Sequence, residues 1–374
     1  MKKLTFLTIL LLPLMIWAQN EIKKEYKTEA GKKLEVDLPI GGSIEVTGWD
    51  KELVSVRVDL QDGDERNYKI EMDERSWGIQ VEIAYEGRGR HSHGGATLEI
   101  MVPKKYDVDL ETTGGELMIR GVEGKFSGET MGGGIELFDL KGTADLTTMG
   151  GDIRIENAQL DGQVKTMGGE VSLLDVIGDL DASTMGGEVS YRNNKKRDSR
   201  ENAKEVEIST MGGDIQVDDA PGGANVSTMG GEIHIRHARK YVKAKTMGGE
   251  INIDEIDGGV KATTMGGDIT VKMVGNPDEF DRDVVLSSMG GDVSLTVPAG
   301  LSMEFDIKLT ITRKSKDDYK IISDFPIKIE ASDEWDYSEG SARLYKYGTG
   351  KIKDGKNRIR IDTTNGDIII KKGK

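Results

Sequence analysis

The sequence predicts an all-β chain: a single-stranded parallel β-solenoid (β-helix) with ~18-residue rungs, flanked by less regular β segments at both ends. Three observations predict it. Close variants of the motif T-M-G-G-[DE]-[IV] recur down the chain, and their methionines (Met131, Met149, Met167, Met185, Met211, Met229, Met247, Met265 and Met289) are spaced by 18, 18, 18, 26, 18, 18, 18 and 24 residues. Within each unit apolar and polar residues alternate, the period of a strand with one dry and one wet face. One unit holds only two short strands and two turns, too little to bury its own apolar face, so successive units must stack.

Residues 1–18 read as an export signal with cleavage after Ala18: Lys2 and Lys3 are followed by an apolar stretch from Leu4 to Trp17, then by the polar Gln19-Asn20-Glu21. The apolar run, about 14 residues, is shorter than the ~20 of a membrane-spanning helix, and no later segment is apolar enough to span. The expected location is the periplasm, the outer surface or the extracellular medium. The chain has no cysteine, which excludes disulfides, thiolate metal sites and lipid attachment through that residue. Loss of Lys2 and Lys3 moves the formal charge from −15 to −17, which argues against nucleic acid or an anionic membrane as partner.

Residues 19–107 form an N-terminal β segment leading into the solenoid, with alternating strands at Ile44-Glu45-Val46, Val54 to Leu60 and Ile79 to Ile83. Residues 108–297 are the regular solenoid. Val242, Ala244 and Thr246, then Ile251, Ile253 and Ile256, then Val260, Ala262 and Thr264 point inward, while Lys243, Lys245, Asn252, Asp254, Lys261 and Thr263 point outward. The two long steps carry insertions, a basic one around Asn193 to Arg200 and an acidic one around Gly275 to Arg282, both expected to leave the stack on one side. Degenerate copies extend the array, Thr112-Thr113-Gly114-Gly115-Glu116-Leu117 before it and Thr363-Thr364-Asn365-Gly366-Asp367-Ile368 after it. A left-handed hexapeptide helix is disfavoured because the aliphatic columns do not recur every six residues, and right-handed coiling is favoured by the general preference of parallel crossovers. Residues 298–374 form a C-terminal β segment ending in a last degenerate rung. Its runs Met303 to Thr312, Tyr319 to Glu330 and Arg358 to Ile370 are expected to cover the final rung. No helix is expected beyond the signal.

Gly48-Trp49-Asp50 followed by Val54 to Val58, the G-G-[DE]-[IV] turns and the closing T-T-N-G-D-I resemble the bacterial "putative-adhesin" domain family, an exported group without an assigned biochemical activity. The resemblance spans roughly residues 33–371 and implies a repeat-built β-solenoid and an adhesin-like role. Methionine is the departure from it, since the family has a small polar residue there.

The repeated columns are the candidate sites. The threonine before each methionine, as at Thr148, Thr166, Thr184, Thr228, Thr246 and Thr264, should face inward and form a ladder of hydroxyls along the stack. No base accompanies it to make a nucleophile. The glycine pairs read as turn residues used for their freedom at positive φ, because the Lys-Ser/Thr and helix of a phosphate loop are missing. The acids Asp152, Glu170, Glu188, Asp214, Glu232, Glu250, Asp268 and Asp292 should form an outward column at ~4.8 Å spacing, either a solvated edge or a set of oxygen ligands for Ca²⁺. The four histidines, His91, His93, His234 and His237, read as surface residues, since zinc needs more convergent ligands than they offer.

The methionines should point outward and line up as a ridge about 40 Å long, interrupted where the insertions intrude. The leading functional reading is a non-enzymatic scaffold that presents methionine and acid columns to a protein or glycan of the cell surface or envelope. The alternatives are a carbohydrate-active β-helix enzyme of the polysaccharide lyase or hydrolase kind, and a cation-binding structural protein. Uniform columns and few aromatic residues disfavour the enzyme.

Overall fold

The computed structural model describes residues 21–61, 65–87, 95–192, 204–313, 315, 318–338 and 342–373. The expected export signal, His91, His93 and the basic insertion at 193–200 lie outside the described residues. Among those residues nearly every element is a strand, and the one helical turn is the three-residue Glu65–Asn67.

Each regular rung contributes one strand to each of two facing parallel sheets. In the rung of Ile251–Ile256 and Gly259–Thr264, the strand after the glycine pair belongs to the first sheet and the strand ending in threonine to the second. The repeat keeps neighbouring copies in register: Ile233, Ile251 and Ile269 pair at steps of 18 in the first sheet, and in the second Val242 pairs with Val260 at a step of 18 and Val260 with Val284 at 24, across the insertion. Alternation then sends Ile251, Ile253, Ile256, Val260 and Ala262 between the sheets, where none is more than 4% exposed. The core is therefore a continuous slab of aliphatic side chains, each resting on its copies above and below.

The two corners of a rung differ. One is the T-M-G-G turn. At the other, Asp139, Asn157 and Asp175 adopt left-handed φ values of 56°, 54° and 55°, a conformation that short Asx side chains tolerate. The same corner column continues, without left-handed φ, as Asp219, His237 and Glu255. Both insertions depart there: they fall between Val189–Arg192 and Val206–Ser209, and between Ile269–Met273 and Val284–Ser288. Arg282 closes the second one. It is fully buried, donates through both Nη atoms to the Val274 and Asn276 carbonyls at 2.7 Å, and is lowered in pKa by burial.

At both ends the rungs stack out of chain order. The rung of Lys33–Leu38 and Ile44–Trp49 lies between that of Gly78–Tyr85 and Ala96–Pro103 on one side and that of Asp107–Thr112 and Leu117–Arg120 on the other. At the far end, Asn357–Thr364 and Ile368–Lys372 slot between the rung of Val284–Ser288 and Val293–Val297 and the strands Met303–Thr312 and Ile321–Ser323. Of the runs expected to cover the final rung, Met303–Thr312 does so, whereas Arg358 to Ile370 is itself the last degenerate rung that its T-T-N-G-D-I copy predicts.

Antiparallel strands finish both sheets. Leu53–Leu60 and then Glu21–Lys27 cap one end of the first sheet, Tyr68–Arg75 caps the second sheet beside them, and Arg343–Ile352 followed by Lys328–Ala331 closes the second sheet's opposite end. Among the described residues the second sheet is an open row, since Tyr68–Arg75 and Lys328–Ala331 each pair on one side. These outer strands carry charge, as Lys23, Lys24, Lys27, Lys328 and Glu330 do, which discourages further strands from adding on.

Candidate functional site

The T-M-G-G corner is built by two backbone demands. Each threonine is buried and its hydroxyl is used twice. Thr148 donates to the Gly133 carbonyl of the preceding rung at 2.8 Å and accepts from the Gly151 amide of its own turn at 3.2 Å. Thr166, Thr184, Thr228, Thr246 and Thr264 repeat the pattern, donating at 2.8 to 3.0 Å. The ladder exists, but its links run from hydroxyl to glycine carbonyl instead of from hydroxyl to hydroxyl.

The glycines need correction as well. None of the described T-M-G-G glycines has positive φ. The second of each pair is required by close approach: a Cβ on Gly169 would lie 2.1 Å from the Gly151 carbonyl oxygen, and one on Gly231 2.0 Å from that of Gly213. The first glycine has room, a Cβ on Gly168 meeting nothing nearer than 3.6 Å.

With threonine inward, the next side chain must face out, and all nine methionines are 41% to 61% exposed. Their backbones are stitched rung to rung. The Gly150 amide donates to the Met131 carbonyl at 3.1 Å, Gly168 to Met149 at 3.0 Å and Gly248 to Met229 at 3.0 Å. The ridge is unbroken, contrary to the expectation. Gly212 donates to the Met185 carbonyl at 3.0 Å across the first insertion, and Thr264 pairs with Ser288 across the second. The insertions leave from the opposite corner, so the methionine corner never senses them.

The acid column is exposed beside the ridge, and its aspartates and glutamates behave differently. Asp152, Asp214, Asp268 and Asp292 each accept the amide of the corresponding residue in the next rung, at 2.7 to 2.8 Å. Among the described residues Glu170, Glu188, Glu232 and Glu250 form no such bond, since the aspartate's shorter side chain is the one that fits the amide of the next rung. Among the described residues no three His, Asp or Glu side chains converge as a metal site would require.

His234 is exposed on the outer face of the first sheet, with Nε2 2.9 Å from Asp254. His237, in the corner column, is partly buried instead. Its Nδ1 is 2.7 Å from Asp219 and its Nε2 3.7 Å from Asp257, so it spans three rungs. The Asp219 hydrogen bond raises its pKa above the ordinary value, burial opposes that, and the charges of Asp219, Asp257 and Glu255 add to the rise. Sequence reasoning missed this clamp, although the 18-residue step from Asp219 to His237 already places them as neighbours.

A groove of ≈ 790 Å³ opens on the outer face of the first sheet, lined by Glu116, Glu136, Asp152 and Glu170 together with Arg154 and Arg192. It forms where Gly134 takes the place of a column acid. Burial, and then the charge of Glu136, raises the pKa of Glu116. No aromatic side chain lines the groove, so a sugar ring would find nothing to stack on.

The model of one protein family, Toastrack DUF4097, matches residues 170–371. No curated protein matches the sequence. Among solved structures the chain is similar to a "putative cell adhesion protein" from Clostridium sporogenes, at 11% identity over 94% of this chain and 99% of that one, with a TM-score of 0.19. It is also similar to a "putative adhesin" from Parabacteroides distasonis, at 11% identity over 74% of this chain and 97% of that one, TM-score 0.31. A "putative adhesin" from Bacteroides fragilis matches at 14% identity over 74% and 97%, TM-score 0.29.

Proposed function

The chain belongs to the Toastrack DUF4097 family, and from that premise we propose that it is an exported, adhesin-like, non-enzymatic scaffold whose methionine ridge receives a polypeptide of the cell surface or envelope. One observation carries this reading: nine thioethers stand exposed in an unbroken row on a protein of formal charge −15. A row of unbranched, polarizable side chains offers adaptable apolar contact, and the acid column alongside favours a partner that carries basic residues next to its apolar ones. A glycan is the poorer fit, because the ridge has no aromatic ring.

The test is an array of envelope proteins and glycans probed with the purified chain, then with Met167, Met185 and Met211 changed to Glu. A polypeptide ligand lost in the Glu variant and retained when the same positions are Leu supports the reading. A ligand indifferent to the Glu substitutions, or a glycan ligand, overturns it.

A further inference from the structure

The methionine column is also a column of soft donor atoms. Successive turns are hydrogen-bonded backbone to backbone, directly between methionines from Met247 to Met229 at 3.2 Å and from Met229 to Met211 at 3.3 Å, and through the following glycine from Gly168 to Met149 at 3.0 Å and Gly186 to Met167 at 3.1 Å, so the methionine side chains leave the turns one strand separation apart, ~4.8 Å. Metal–sulfur bonds are about 2.3 Å, which sets two sulfurs on opposite sides of one ion about 4.6 Å apart. The rung spacing and the span of a two-sulfur site therefore coincide. Thioethers are neutral and polarizable, and they select Cu(I) and its like over the harder divalent ions. We propose that adjacent ridge methionines bind soft monovalent cations, Cu(I) or Ag(I), each ion held between the thioethers of neighbouring rungs.

Several features of the molecule favour this. The donors are on the surface, so an ion can reach them without opening the fold. The three rotatable bonds of methionine let each sulfur tilt toward its neighbour without moving the turn. The acid column three residues beyond each methionine, past the glycine pair, supplies negative potential that concentrates cations near the ridge while leaving the thioethers as the ligands. The chain has no cysteine to compete for a soft ion. The site is periodic, so ions would load along the ridge pair by pair instead of at one place. This inference does not depend on the docking partner proposed above.

Adjacency is the decisive property, and two variants with equal numbers of thioethers isolate it. In the first, Met149, Met185, Met229 and Met265 become Leu, leaving ridge methionines only on alternate rungs. In the second, Met229, Met247, Met265 and Met289 become Leu, leaving the remaining five contiguous. Leucine keeps the ridge apolar, so partner docking survives in both variants and its failure is read separately from that of ion binding. Ag(I), which needs no reductant, is titrated while the ¹³C-methyl signals of methionine are followed by NMR, and anaerobic competition with a chromogenic chelator measures Cu(I).

The ridge methyls of the unaltered protein should shift together while those of the buried Met273 and Met303 stay in place. The contiguous variant should keep the affinity at reduced capacity. The alternating variant should lose about a hundredfold in affinity, the loss expected when a second ligand no longer adds its effective concentration. Zn²⁺ and Ca²⁺ should leave the methyl signals unmoved. Absence of binding, or equal affinity in the two variants, overturns the proposal.

Discussion

The glycine pair and His237 show how far one residue's chemistry reaches in a stacked fold. The glycine pair separates a tolerated site from a forbidden one within a single turn. Gly230→Ala, whose Cβ would meet the Gly212 carbonyl at 3.5 Å, should change stability by less than about 1 kcal/mol. Gly231→Ala, 2.0 Å from the Gly213 carbonyl, should cost at least ~2 kcal/mol because two backbones must part, and chemical denaturation of both variants would show the asymmetry. Equal effects would mean that the turns stack more loosely than described. His237 gives a pH signature. Its folded-state pKa is raised by Asp219, so the stability it contributes is present in full below its ordinary value of about 6.5 and is lost as pH climbs through the raised one. The melting-temperature gap between the protein and His237→Gln should therefore be widest below the ordinary imidazole pKa and shrink as pH rises through the raised one. A gap that widens with pH would place the neutral imidazole, and not the cation, in the clamp.

At the scale of the strand and the turn, much was legible. Strict alternation predicts Thr246 inward and Met247 outward, because a strand reverses its face at every residue and the repeat supplies many aligned copies of the same decision. The reason for the second glycine was not legible, since it lies in a carbonyl one rung away and not in the local φ. The unbroken ridge was hidden for a related reason: spacing shows that an insertion exists, but the corner it leaves from depends on which strands it joins. Peroxide tests the ridge as an element. Brief treatment of the folded protein should oxidise the nine ridge methionines to sulfoxides while Met273 and Met303 remain unmodified and the circular dichroism stays that of a strand-rich protein. Oxidation of all of them together, with loss of the signal, would show that the thioethers support the fold.

For the molecule as a whole, the period of 18 gives the stack but not the order of its ends. Long segments part Lys33–Leu38 from Asp107–Thr112, and Val284–Ser288 from Asn357–Thr364, and no periodicity spans those gaps to say which strand lies next to which. The out-of-order rungs have a mechanical consequence. Under tension a strand at an edge unzips bond by bond, whereas Ile368–Lys372 has a parallel ladder on each side and must be dragged lengthwise through both. Force applied at Lys372 should therefore meet a higher rupture peak in single-molecule pulling than force applied at Lys328, on an edge strand with one partner. A lower peak at Lys372 would mean that the slotted rung slips free. If it holds, Ile368–Lys372 acts as a latch, and a body hauled by that strand would pass the load to the rungs on either side before the strand gave way.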